Sequence, residues 1–188
     1  MPNITWQEPQ VIVDVLAMNL LADQNGMNLG SNREIAVVSP WLSDVEIALR
    51  PGPWYQQLTV GEKISTSSLH NSLAMFCQRG WDVHVAVLAY GINSSGIVKP
   101  PEKFAFERSF LRKLISLGAK VHLVSNLHAK GIVTPLAIVT GSTNLTNSGL
   151  YAQAQNANYF AFNHPDFYAN RVQLRATYQH VAPAQNML

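Results

Sequence analysis

The chain predicts an α/β fold built on a mainly parallel sheet. Two observations carry this. Helical patterns that stop on glycine are followed at once by short apolar runs, Gly80 before residues 81–90 and Gly118 before residues 120–125. Helix, stop and strand in that order mark βα crossovers. The rhythm then changes. The runs at 127–133 and 136–140 are joined by a short proline-containing link, too short for a crossover, so an antiparallel hairpin is expected there.

The elements follow in order. Residues 8–23 read as a helix, because Val11, Val15, Leu16, Met18 and Leu20 give a broad apolar face and the polar, glycine-containing stretch 23–30 ends it. EIAVVS at 34–39 is a buried strand that leaves the sheet at Pro40, Trp41 and Leu42. Residues 50–66, with Pro51-Gly52-Pro53 and Gly61, form a loop or small insertion. Thr66 or Ser67 caps a helix running to about Gln78. WDVHVAVLAY at 81–90 alternates Asp82 and His84 with Val83, Val85 and Val87, a strand pattern. A loop at 91–101 leads to a helix over 102–117, and KVHLVS at 120–125 is a third strand. Beyond the hairpin, a short helix starts at Asn144 and ends near Gly149, NYFAF at 158–162 is a last strand, and 166–180 is a closing helix.

A length of 188 residues suggests one domain over 1–188. A hydrophobic share of 47% supports a substantial core and excludes wholesale disorder. Charged residues are only 13%, so the surface is rich in neutral polar groups or partly buried in an oligomer. A net charge of +2 permits a polyanionic partner without announcing one. Arg108, Arg112 and Lys113 are the one close group of cations and read as the solvated face of a helix. Cys77 lies in an apolar run and reads as a small buried hydrophobe, in keeping with a reducing compartment. The N-terminal MPNITWQEPQ has no basic region, and the apolar run after it carries Asp14 and is too short to span a bilayer. A cytoplasmic protein with no membrane partner is expected. One cysteine and scattered histidines offer no metal-ligand spacing, and there is no P-loop, G-x-G-x-x-G or G-x-S-x-G. No cofactor or metal is expected.

The chemistry concentrates in His128-Ala129-Lys130, followed eleven residues later by Gly141-Ser142-Thr143-Asn144. On a strand, residues i and i+2 share a face, so His128 and Lys130 project together. Gly141 and Ser142 allow a tight turn, and Asn144 falls where a helix would begin, with free N–H groups suited to a phosphate oxygen. Singly, each residue has an ordinary use: a packed histidine, a surface lysine, a turn serine, an N-cap asparagine. In this order they form a metal-free kit for holding an anion with several oxygens. Trp41, Trp54 and Tyr55 either pack in the core and loops or line a groove and stack on bases.

This segment resembles the signature of the phospholipase D superfamily, H-x-K followed by G-S-x-N. The likeness continues into Leu145-Thr146 and Gly149-Leu150, and more loosely over about residues 33–165 through IAVVSPWLSD and RGWDVHVAVL. The resemblance implies an α/β/α sandwich with a mixed, mainly parallel sheet. It also implies metal-independent phosphodiester cleavage. His128 would be the nucleophile that forms a phosphohistidine, Lys130 and Asn144 would stabilise charge on the non-bridging oxygens, and Ser142 and Asn158 would support phosphate and ring.

Two departures stand out. The family's acidic residue would fall at Pro135, and no Asp lies between 128 and 144. Asn158 stands near a place where the family often has a Glu, and an amide orients an imidazole without stabilising its charge. Tyrosyl-DNA phosphodiesterases and certain restriction endonucleases resemble this chain in working with His, Lys and Asn but no Asp.

The mechanism needs two histidines in different protonation states. His70, His84, His122, His164 and His180 all lack a lysine two positions on. A two-fold homodimer that brings two copies of His128 together supplies the second. Short single-motif members of the family look like nucleases, so the expected substrate is nucleic acid, DNA rather than RNA. The alternatives are a phospholipase or other phosphodiesterase, and a catalytically inactive module that only binds phosphate or nucleic acid.

Overall fold

The computed structural model describes residues 3–5, 10–27, 29, 33–48, 66–90, 101–152 and 156–184. The loops expected at 50–66 and 91–101, with Trp54 and Tyr55, lie outside the described residues except at Thr66 and Pro101. In chain order the elements are β1 (Asn3–Thr5), α1 (Gln10–Gln24), β2 (Glu34–Val38), β3 (Glu46–Ala48), β4 (Thr66–Ser68), α2 (Leu69–Gln78), β5 (Asp82–Leu88), α3 (Pro101–Ser116), β6 (Lys120–Val124), β7 (Gly131–Val133) and β8 (Ala137–Gly141). A π-helical turn (Ser148–Ala152), β9 (Asn156–Ala161) and α4 (Phe167–Ala176) complete them.

The main sheet has the order β1-β9-β8-β7-β2-β5-β6. β2, β5 and β6 pair in parallel, as the crossover pattern predicts. β7 turns back antiparallel to β2 and β8 antiparallel to β7, forming the expected hairpin. β9 pairs antiparallel with β8, and β1 antiparallel with β9. The sheet is therefore mixed: β1, β8, β2, β5 and β6 run one way, β7 and β9 the other.

Strand alternation sorts the core into two layers. Ile35, Val37, Val83, Val85, Val87, Val121, Ile132 and Val139 face one side, where they pack with Leu16 of α1, Phe76 of α2 and Leu111 and Leu114 of α3. Ala36, Val38, Ala86, Val133 and Ile138 face the other, against Phe167 and Leu174 of α4 and Tyr178. This is the expected α/β/α sandwich. β2 is buried along its whole length, which explains its unbroken apolar run. Cys77 is half-buried against the first layer, and burial raises its thiol pKa. Among the described residues no helix is long and apolar enough to cross a membrane.

Polar contacts fix the α4 layer. Glu34, buried at the start of β2, accepts the Tyr178 hydroxyl at 2.8 Å and ion-pairs with Arg175 and Arg171 at 3.3 and 3.6 Å. Beside it, His84 of β5 and His122 of β6 meet through Nδ1 and Nε2 at 2.9 Å. His122 Nδ1 lies 2.7 Å from the Val181 carbonyl, which only accepts, so that nitrogen carries the proton. Neutral His122 then accepts from His84 Nδ1–H. His84 Nε2 in turn faces Asp82 at 3.2 Å, a carboxylate also held by Lys120.

Several boundaries differ from the sequence reading. The helix expected to be capped by Thr66 or Ser67 is capped by Ser68, whose Oγ accepts the Asn71 N–H at 3.1 Å. Thr66 and Ser67 instead pair with β3 in a two-stranded ribbon. The three-residue strands β1, β3 and β4 are too short to leave a period-2 pattern. β7 begins only at Gly131, so His128 and Lys130 precede the strand rather than lie on it. The helix expected from Asn144 begins at Ser148, so Asn144 does not start a helix.

Gly131 explains the tight start of the hairpin. A Cβ there would run into the Val139 carbonyl oxygen and press on the Leu174 side chain. Gly131→Ala is expected to destabilise the fold by about 1–3 kcal/mol in urea denaturation.

Burial, above all, and the neighbouring His84 and Lys120 charges lower the pKa of His122, and its bond to Val181 opposes them only in part. The unfolded imidazole titrates near about 6.5. A folded pKa below that value means the unfolded chain binds the extra proton first. Stability is therefore full above about pH 6.5 and is lost as pH falls toward the folded value. Thermal midpoints from pH 7.5 to 5 should show this loss, and His122→Asn, which keeps a donor toward Val181, should flatten it.

Candidate functional site

Hairpin pairing brings the two halves of the motif together. Gly131 stands opposite Thr140 in the ladder, and the Gly141 N–H donates to the Lys130 carbonyl at 3.2 Å. H-x-K therefore enters β7 where G-S-x-N leaves β8. This end of the sheet also holds the carboxyl end of β2, since Val38 pairs with Gly131. Carboxyl ends of parallel strands are where α/β sheets place their ligands.

The His128 side chain is exposed and makes no hydrogen bond among the described residues. Lys130 is partly buried. Its Nζ donates to the His128 carbonyl at 2.8 Å, and no carboxylate lies within ion-pair reach among the described residues. Burial pushes its pKa down. An ammonium that has lost water and gained only a neutral oxygen is poised to accept an anion.

Lys130, Ser142 and Asn158 line one cavity of about 540 Å³, on the α4 side, with Gln173 and Thr177. Ser142 and Asn158 are exposed at its margin. Asn144 lines a different cavity of about 540 Å³, toward α3, with Trp41, Ser43 and Glu107. His128 lines neither of these two. Within one chain, then, Lys130, Ser142 and Asn158 share a cavity, while His128 and Asn144 stand outside it. Trp41, one of the aromatic candidates, lies beside Asn144. His84 and His122 sit on β5 and β6 and bond to each other and the C-terminal segment, apart from H-x-K.

A web of backbone and side-chain bonds holds the Asn144 loop. Ser39, just past β2, accepts the Leu145 N–H at 3.0 Å, and the Ser43 N–H donates to the Leu145 carbonyl at 3.0 Å. Leu42 and Leu145 form a parallel bridge. The Thr146 N–H donates to the Asn144 carbonyl at 2.9 Å. Gly149 approaches so closely that a Cβ would collide with that same carbonyl oxygen. Asn144 Oδ1 and the Thr143 hydroxyl are buried and make no hydrogen bond among the described residues.

Two residues missed in the sequence reading support this loop. Ser39 is one. Glu107 is the other: it is 3% exposed, and its Oε1 accepts the Leu42 N–H at 2.9 Å. Its position was legible in principle, because it falls three, four and seven residues before the buried Phe110, Leu111 and Leu114 and so shares their inward face. Pro135 stands in the hairpin turn, at the end of β7 away from Lys130. That turn is closed without an acid. The buried Thr134 hydroxyl donates to the Ala137 carbonyl at 2.7 Å and accepts from the Ala137 N–H and the Asn19 amide at 3.0 and 2.9 Å. A carboxylate at 135 would lie far from the ammonium. Among the described residues no group of three metal-ligating side chains occurs.

No protein-family model matches the sequence, and no curated protein matches it. Solved structures do. Nuc from Salmonella typhimurium, a phospholipase D family member, aligns over 82% of this chain and 84% of its own, with 15% identity and a TM-score of 0.52. NucT from Helicobacter pylori aligns over 96% of both chains, with 10% identity and a TM-score of 0.52. At such identities the likeness is one of fold. The chain has the α/β fold of these two structures, one of them a phospholipase D family member, as the H-x-K and G-S-x-N residues led us to expect.

Proposed function

We propose that this chain is a metal-independent phosphodiesterase that cleaves DNA through a phosphohistidine, at a site completed by a second copy of itself. One observation carries the reading: the partly buried Lys130 ammonium, with no acidic partner among the described residues, stands where the G-S-x-N turn begins. The fold shared with the Salmonella phospholipase D family member supports it.

In this mechanism a ring nitrogen of neutral His128 attacks phosphorus in line with the leaving oxygen. The P–O bond breaks as the P–N bond forms, and the departing oxygen takes a proton from the partner's His128. Water then attacks phosphorus, the P–N bond breaks, and the partner's His128 takes the proton from water. Lys130 offsets charge on the non-bridging oxygens throughout. Asn144, whose side chain lines the neighbouring cavity, donates its amide N–H to a phosphate oxygen. Asn144 and Lys130 line separate cavities in the single chain, so a substrate spanning the hairpin end would draw on both. Ser142 and Asn158, at the rim of the Lys130 cavity, contact the phosphate or orient the ring.

The test uses EDTA-treated protein with plasmid, single-stranded DNA, RNA and phosphatidylcholine vesicles. DNA should be cleaved, and His128→Ala should lower the rate by at least about 10³-fold. Lys130→Met should lower it by about 10²–10³-fold with the fold intact. Acid-quenched wild type should carry phosphate on His128. Cleavage of lipid alone would assign the chemistry to another phosphodiester. DNA binding without turnover or phosphohistidine would identify an inactive binding module. A strictly monomeric protein by sedimentation, with full activity, would contradict the shared site.

A further inference from the structure

The exposed face of α3 is unusual in a chain so poor in charge. Arg112 and Lys113 are exposed and Arg108 is partly so, and Arg108 and Arg112 are spaced i, i+4 along one row. The Arg108 guanidinium carbon stands 5.8 Å from the Phe104 ring centre, a cation–π distance that leaves the cation at the surface. One turn toward the candidate site, Phe106 is 82% exposed, the most exposed large apolar side chain among the described residues. Two acids lie nearby, Glu107 in the Asn144 cavity and Asp44 in a second depression beside it. Glu107 is buried and takes the Leu42 N–H. Asp44 accepts the His70 N–H at the start of α2 at 2.9 Å.

These residues are continuous with the candidate site. The Asn144 cavity shares Ser43 and Phe106 with a second depression, which in turn shares Ser109 and Lys113 with a third that reaches Arg108 and Arg112. The three form one trough from the G-S-x-N loop across α3. An unpaired aromatic face followed by a row of cations suits a flexible polyanion with flat bases: the ring takes a base and the cations take phosphates.

We propose that this trough is the track of a single-stranded polynucleotide leaving the Asn144 loop, with a base stacked on Phe106 and successive phosphates on Arg108, Arg112 and Lys113. The proposal rests on the nuclease reading and narrows its substrate to a strand with accessible bases.

Two separate arms test it. The first measures hydrolysis of a small aryl phosphodiester by wild type and His128→Ala, and judges the nuclease chemistry alone. The second measures binding of a fluorescent single-stranded 30-mer to the full chain by anisotropy over a salt series. It uses His128→Ala as the parent so that no cleavage intervenes. Relative to that parent, adding Arg108→Gln, Arg112→Gln and Lys113→Gln together should weaken binding at least about tenfold at low salt and reduce the salt slope by about 2, as expected for about three lost phosphate contacts. Adding Phe106→Ala should weaken it about fivefold or more. Phe106, Arg112 and Lys113 lie at the surface and Arg108 is partly buried, so circular dichroism verifies the fold of each variant. Unchanged affinity and slope in both variants, or no binding by the parent at low salt, would overturn the track whatever the first arm shows. Failure of the small diester to react, or its hydrolysis without His128, would overturn the chemistry and leave the binding result to stand by itself.

Discussion

The structure turns on the open end of one hairpin. β7 and β8 pair so that the Lys130 carbonyl accepts the Gly141 N–H, and this single backbone contact places the two motif segments side by side. Everything around it is arranged to keep that end fixed. Gly131 lets β7 lie against the Val139 carbonyl, Thr134 and Asn19 close the far turn, and Ser39 and Ser43 tie the Asn144 loop to the end of β2. The hairpin is antiparallel because its link is short, while its neighbours β2, β5 and β6 are parallel because helices connect them. The site therefore arises where the two styles of sheet meet.

The electrostatics of this end follow from burial. Lys130 has surrendered part of its hydration and received a neutral carbonyl in return. The opposite arrangement holds at the start of β2, where Glu34 is ringed by Tyr178, Arg171 and Arg175, and on β5 and β6, where each imidazole has a partner. Ion pairs and a hydrogen bond beneath α4 fasten the helix layer. At the hairpin end the Lys130 ammonium has no carboxylate partner among the described residues.

Much of this was legible in the sequence. The long strands show as apolar alternation, and the change from crossover spacing to a short link located the hairpin. H-x-K and G-S-x-N stood out because their residue types and spacing have few other joint uses. Other features escaped for physical reasons. A three-residue strand such as β3 carries no periodicity. The boundary of β7 depends on where Gly131 lets the ladder begin, which is a matter of backbone approach rather than of composition. Ser39 and Glu107 act through contacts 106 and 65 residues away in sequence, so only the folded chain reveals them. The cations of α3 read as a solvated face, and it is their continuity with the Asn144 cavity that gives the face a direction.

The central claim is that the hairpin end holds one phosphate between the two motif segments. Solution NMR of the full chain titrated with inorganic phosphate tests it most directly. The account predicts that the His128 ring, the Lys130 ammonium, the Gly141 and Ser142 amides and the Asn144 side chain shift together along a single binding curve, while His84 and His122 stay still. Shifts confined to other surfaces, or a Lys130 signal indifferent to phosphate, would contradict it.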